Sequence, residues 1–190
     1  MPEGINDLAG RDAKPDDVLE FWFAEGMDKR WYAHDEALDA EIAERFAGLN
    51  HAAAAGECDD WAMAPDSMLA LIIVLDQFSR NLYRGSGKAF ACDGKALALT
   101  HDALEKGWGE DMPERRRQFL YMPLMHSELL PDQMLSVELF GRFEDDNNLK
   151  FAIEHKDIIA RFGRFPHRNA ALGRDSTEEE REFMKEHKGF

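Results

Sequence analysis

Cysteine is scarce in this 190-residue chain: only Cys58 and Cys92 occur, 34 positions apart, with no second Cys or His near either at ligand spacing. Such a pair makes neither a disulfide framework nor a zinc site, and it points to free thiols in a reducing compartment. Neither has a neighbouring base in sequence, so a thiol nucleophile has no support. Long apolar runs are missing as well. The longest, Met68 to Leu75, falls far short of the roughly 20 residues a membrane-spanning helix needs. The opening Met-Pro-Glu-Gly-Ile-Asn-Asp is acidic where a secretory signal is basic, and no apolar stretch follows it. The expectation is a soluble, cytoplasmic protein without membrane contact.

Positive charge is also short. There are 23 Lys/Arg against 38 Asp/Glu, a net charge of −15. Such a field opposes phosphate backbones, which argues against nucleic acid as a partner. Sustained period-two alternation is absent, so no segment reads as a strand. There is no His-Glu-x-x-His, and none of the seven histidines pairs with another at helical spacing; no metal and no cofactor is expected. Gly85-Ser-Gly87-Lys88 lacks the spacing of a phosphate loop and follows a helical pattern rather than a strand.

What is present is helix and core. Hydrophobic residues make up 44%, with 13 Phe and 4 Trp, enough to fill the interior of one domain over residues 1–190 without staples. Residues 1–13 read as frayed. Pro15 with Asp16 and Asp17 opens a first helix, Asp35 caps a second that Gly56 stops, and Pro65 starts the most apolar one, central because it is apolar on all sides. Further helical patterns follow around Ala96–Lys106, Glu114–Leu130 (with Pro123 inside), Pro131–Phe143 and Leu149–Phe162. A last helix begins at a capping box of Ser176 and Glu179. The sum is an all-α array of about eight helices with short links.

Three polar segments stand where a plain scaffold does not need them. Asp76, Arg80 and Arg84 are spaced by four and share one helix face, with Gln77 and Asn81 beside them. This is either an ion-paired network closing a core helix or part of a ligand site. His126 and Glu128 follow the Pro123 helix, with Asp132 and Gln133 next, a set suited to acid–base work or to holding a freed carbonyl. His155 falls on a core-facing stripe. The third segment, Arg161 to Arg174, carries Arg161, Arg164, Arg168 and Arg174 with no acid between them. Within it Gly163 and Pro166 break regular helix, so Arg164, His167, Arg168 and Asn169 are presented from a loop, all able to donate to an anion.

The segments Leu75–Arg84, Phe119–Glu128 and Arg161–Asn169, with Val18–Phe23, Leu172–Arg174 and Thr177–Glu179, together resemble a largely bacterial family called domain of unknown function 924. The resemblance spans nearly the whole chain. It implies a fold like that of tetratricopeptide repeats, with antiparallel helix pairs stacked into a superhelix. It brings no activity with it. On the residues and the implied fold, the chain reads as a binding module for a protein segment or small acidic ligand on its inner face. The alternative is an enzyme or sensor for a small anionic metabolite using His126, Glu128, Arg164, His167 and Arg168. The candidate ligand-binding set is Arg80, Asn81, Arg84, His126, Glu128, Arg164, His167, Arg168 and Asn169. Oligomeric state is not fixed by any of these features.

Overall fold

The structure is a computed structural model that describes residues 9–187 and 189. Among these residues there is no strand, and nine α-helical segments form eight helices. The segments are α1 Pro15–Trp22, α2 Glu36–Ala55, α3 Pro65–Ile73, α4 Ser79–Leu82, α5 Asp93–Glu105, α6 Glu114–His126, α7 Leu130–Phe140, α8 Asp146–Phe162 and α9 Glu178–Glu186. A π turn, Val74–Phe78, joins α3 to α4 with right-handed backbone throughout, so the two segments are one helix. No described helix is long and apolar enough to cross a membrane. The chain falls into two compact units. One holds the described residues up to Arg84 together with Lys88–Leu120, and the other holds Gly85–Gly87 and the chain from Tyr121.

Local chemistry sets the helix boundaries. Asp35 Oδ1 accepts from Leu38 N at 2.9 Å and caps α2, and Gly56, at φ 89°, ends it in the left-handed conformation that glycine adopts without strain. α1 starts at Pro15 as expected and stops at Trp22, four residues before Gly26. The residues expected to fray are only partly described. From Ala9 the chain is a turn whose Ala9 carbonyl accepts from Gly48 N at 2.7 Å.

The core of the first unit is aromatic around an apolar rod. Met68 to Leu75 are wholly buried, as the central helix requires. Phe46 and Phe78 lie 5.0 Å apart between ring centroids, and Trp22 sits edge-on to Phe78 and Phe119 at 5.5 and 5.6 Å. A π turn shifts the backbone ladder and leaves a carbonyl in need of a donor. Asn50 of α2, 2% exposed, supplies it: its Nδ2 donates to Val74 O at 2.8 Å and to Ser79 Oγ at 3.0 Å.

In the second unit α7 and α8 form a packed hairpin. Gln133, fully buried on α7, donates to the carbonyls of Met125 at 2.7 Å and Ser127 at 2.6 Å, satisfying the end of α6. Ile158, Ile159 and Phe165 form a buried cluster against which Phe162 and Phe183 pack. The cap of α9 corrects the sequence reading by one residue. Glu180 N donates to Thr177 Oγ1 at 3.1 Å and Thr177 N to Glu180 Oε2 at 2.7 Å, so the box is Thr177 with Glu180 rather than Ser176 with Glu179. Both pairs have the right spacing, but Arg164 and Asn169 also reach Glu180, and those tertiary partners select the register.

Candidate functional site

The polar residues that follow the central helix of the first unit are engaged internally. Arg80 donates to both oxygens of Asp93, at the start of α5, at 2.9 and 3.1 Å, and lies 3.0 Å from Asp76 Oδ1. Asp76 is 1% exposed and also accepts from Gln77 Nε2. Burial works against the charge of Arg80, but Asp76 and Asp93 more than offset it and raise its pKa. One turn further on, Asn81 donates to Asp39 Oδ1 at 2.7 Å, and Arg84 grips the same carboxylate at 2.5 and 3.0 Å. These contacts tie the end of α4 to α2 and α5. Arg80, Asn81 and Arg84 thus gather in the first unit as fasteners between helices: Arg80 meets Asp76 as the spacing by four offered, whereas Asp93 and Asp39 are carboxylates that sequence spacing did not point to.

In the second unit the acid-free arginine run meets acids from outside it. Arg164 reaches Glu180 Oε1 at 2.7 Å and Oε2 at 2.8 Å, holding the Glu180 carboxyl down to about 2. Arg174 takes both oxygens of Glu128, at 2.7 and 3.0 Å, and also donates to Asn169 Oδ1 at 2.9 Å and Phe165 O at 3.1 Å. Glu128 accepts Phe165 N as well, at 2.8 Å. Burial opposes the charge of Glu128, and these hydrogen bonds, led by Arg174, nevertheless keep its pKa below the usual carboxylate value. Asn169 bridges from Arg174 to Ser176 and Glu180. Arg161 pairs with Glu179 at 2.9 Å. Glu128, Arg164 and Asn169 from the candidate set therefore knit the loop to α9, together with Arg174 and Glu180, which the set did not include. Arg174 was visible in the basic run. Glu180 lies 16 positions from Arg164, and nothing in the sequence links the two.

Two of the remaining candidates, Arg168 and His167, lie against the Phe165 ring, and His126 stands one ring further out, beside His155. Phe165 is fully buried. Arg168, 6% exposed, lies over it at 4.5 Å, His167 at 5.5 Å between centroids and His155 at 5.4 Å. His126 is 6.3 Å from His155. His126 and His167 are half-buried, whereas His155 is buried with Nδ1 2.7 Å from Phe151 O. Burial first, then the charges of its neighbours, pushes His155 down to about 2 and His167 down to about 4; His126 leads for the former and Arg168 for the latter. At neutral pH these two rings are neutral, and Arg168 supplies the permanent charge. His155, which the stripe pattern assigns to the core, is both a core residue and a member of this cluster.

Each unit also carries a surface depression open to solvent. In the first unit one of about 310 Å³ is lined by Asp59, Ala62, Lys95, Ala98 and Leu99. In the second, a groove of about 330 Å³ between α8 and α9 has Ile153, Ile158, Phe162 and Phe183 as its apolar lining and Lys150, Glu154, Asp157, Arg161 and His187 as its polar lining. Among the described residues no three of His, Cys, Asp or Glu gather as a metal site would require.

Residues 18–188 match the family model described as bacterial protein of unknown function, DUF924. A solved structure of a protein of unknown function from Agrobacterium tumefaciens is 38% identical in sequence and superposes with a TM-score of 0.86, covering 91% of this chain and 97% of its own. No curated protein matches the chain in sequence.

Proposed function

We propose that this chain, which belongs to the DUF924 family of bacterial proteins of unknown function, is a binding module whose second unit takes a small acidic ligand. The observation that carries this reading is the gathering of Arg168, His155 and His167 around Phe165, with His126 beside His155. Arg161, Arg164 and Arg174 are matched by Glu179, Glu180 and Glu128, so they build the wall of the site. Arg168, stacked on an aromatic face where water screens it little, adds a positive charge that also acts on Glu128. His126 and His167, both half-buried, are the imidazoles a ligand can reach. An anion would also ease the mutual repulsion that a protonated cluster suffers. On this reading the α7–α8 hairpin serves as a rigid backing, as one pair of a tetratricopeptide-like array would.

The test is calorimetry and thermal unfolding of the whole chain with acetate, phosphate and citrate, at fixed ionic strength against chloride. At a hundredfold excess over its dissociation constant a true ligand stabilises by about 2.7 kcal/mol. Arg168→Gln is expected to abolish that gain. If none of these anions stabilises the wild type beyond chloride, the reading fails.

A further inference from the structure

Beyond its last helix the chain turns back to His167. α9 ends at Glu186, and the His187 ring stacks on Phe183 at 4.9 Å between centroids and 18° between planes. Its two nitrogens face different partners. Nε2 lies 2.9 Å from Glu154 Oε1 on α8, and Nδ1 is 3.2 Å from Gly189 N, which donates to it. An ionised carboxylate only accepts and a backbone N–H only donates. These partners therefore fix the form of the ring as neutral, with its proton on Nε2.

Gly189 in turn lies against His167. Its φ is 100°, a backbone that glycine adopts and other residues rarely do, and a Cβ there would stand 3.0 Å from Cβ and Cγ of His167. His187 is also among the charges that act on His167. The contact is held by a hydrogen bond whose acceptor is a titratable nitrogen.

We infer that Gly189 is a pH-operated cover on His167, latched by His187: closed while that ring is neutral, open once it is protonated. A proton on Nδ1 turns the acceptor into a donor, and two donors then face each other. On the opposite edge the same proton tightens the hold. The bond from Nε2 to Glu154 becomes charge-assisted, and a cationic ring is drawn to the face of Phe183. The ring therefore stays on α8 and α9 while Gly189 lets go. Charges around His187 act on both sides of this equilibrium. Glu154 favours the charged ring, as does Asp157 of the same groove, which is paired with Lys156. Lys150 and Arg161 of the groove oppose it, Arg161 being held by Glu179, and so does Arg168 beside His167. On its own helix Glu186 precedes it, and Lys185 is paired with Glu182. The cover is independent of whether the histidine cluster takes an anion, because every contact in it lies within the chain.

The experiment is carbethoxylation of the full chain by diethyl pyrocarbonate, with the rate at His167 read by peptide mass at pH 8 and pH 6. Burial and its neighbours hold His167 at about 4, so its ring is neutral at both values and its rate reports access rather than charge. The rate constant is expected to be several times larger at pH 6. Gly189→Ala puts a Cβ against His167 on a backbone that alanine resists, and should react fast at both values. His187→Asn places an amide oxygen near the position of Nδ1, where it accepts at either pH, and should react slowly at both. A wild-type rate that does not change with pH overturns the cover. So does a rise that persists in His187→Asn, or a Gly189→Ala variant as slow as the wild type at pH 8.

Discussion

Arginine meets carboxylate in both units, but the accounts balance differently. By sequence the first unit carries 13 Lys/Arg against 24 Asp/Glu, and the second 10 against 14. In the first, Arg80 and Arg84 each find an acid brought by another helix, Asp93 and Asp39, and those pairs pin helices around an aromatic core. In the second, three arginines of one short stretch are matched by Glu179, Glu180 and Glu128, while Arg168 lies on the face of Phe165 beside histidines, its charge also acting on Glu128. The acids that a basic segment fastens to are thus decided by the fold rather than by the segment itself, and on the proposed reading one chain contains both a fastener and a receptor.

The largest effect should come from the first unit. Arg80→Ala leaves Asp76, almost fully buried, without its cation, and should cost on the order of 3–5 kcal/mol. The urea midpoint measures this, and an unchanged midpoint would remove the contrast between fasteners and receptors. Glu180→Ala strips Arg164 and Asn169 of their shared carboxylate and opens the cap of α9, with an expected loss of about 3 kcal/mol. Hydrogen exchange should show that loss in the second unit while α3 stays protected; equal loss in both units would contradict their separate bookkeeping.

Acid should act on the second unit first. His155 and His167 are held at about 2 and about 4 in the fold, below the 6.5 of a free imidazole. Between those values the unfolded chain binds protons that the fold refuses, so stability is complete above pH 6.5 and falls as the pH drops below it. At pH 4.5 the loss from buried His155 alone is on the order of 3 kcal/mol. Unfolding followed by urea at stepped pH tests this, and His155→Phe should flatten the slope. Asn50→Ala, which leaves the Val74 carbonyl without its donor, should cost about 2 kcal/mol. Smallest is Arg84→Ala: the side chain is 36% exposed, and its pair with Asp39 should be worth about 0.5 kcal/mol by denaturant titration.

The helices were readable because their signals are local. Asp35, Pro65 and Gly56 act on backbone within four residues, and the Met68–Leu75 run has no place but the interior. The site was readable only as residue types. Arg164, His167, Arg168 and Asn169 stand within six positions, yet Arg164 and Asn169 turn to Glu180 and Arg168 to Phe165. The turn to Glu180 crosses 16 positions from Arg164 and 11 from Asn169, which no spacing rule encodes. The Thr177 cap shows the same limit at one residue: two equal local motifs compete, and a distant arginine decides between them.

The π turn at Val74–Phe78 makes the central helix a screw with a slipped thread. Each residue of an α-helix advances the following side chains by about 100°. Loss of one codon within the turn would restore the regular thread and rotate everything beyond it by that angle, carrying Arg80, Asn81 and Arg84 away from Asp93 and Asp39. Substitutions there touch one side chain at a time, whereas a single-residue deletion would unfasten three at once, so length at this point is as much a part of the fold as composition.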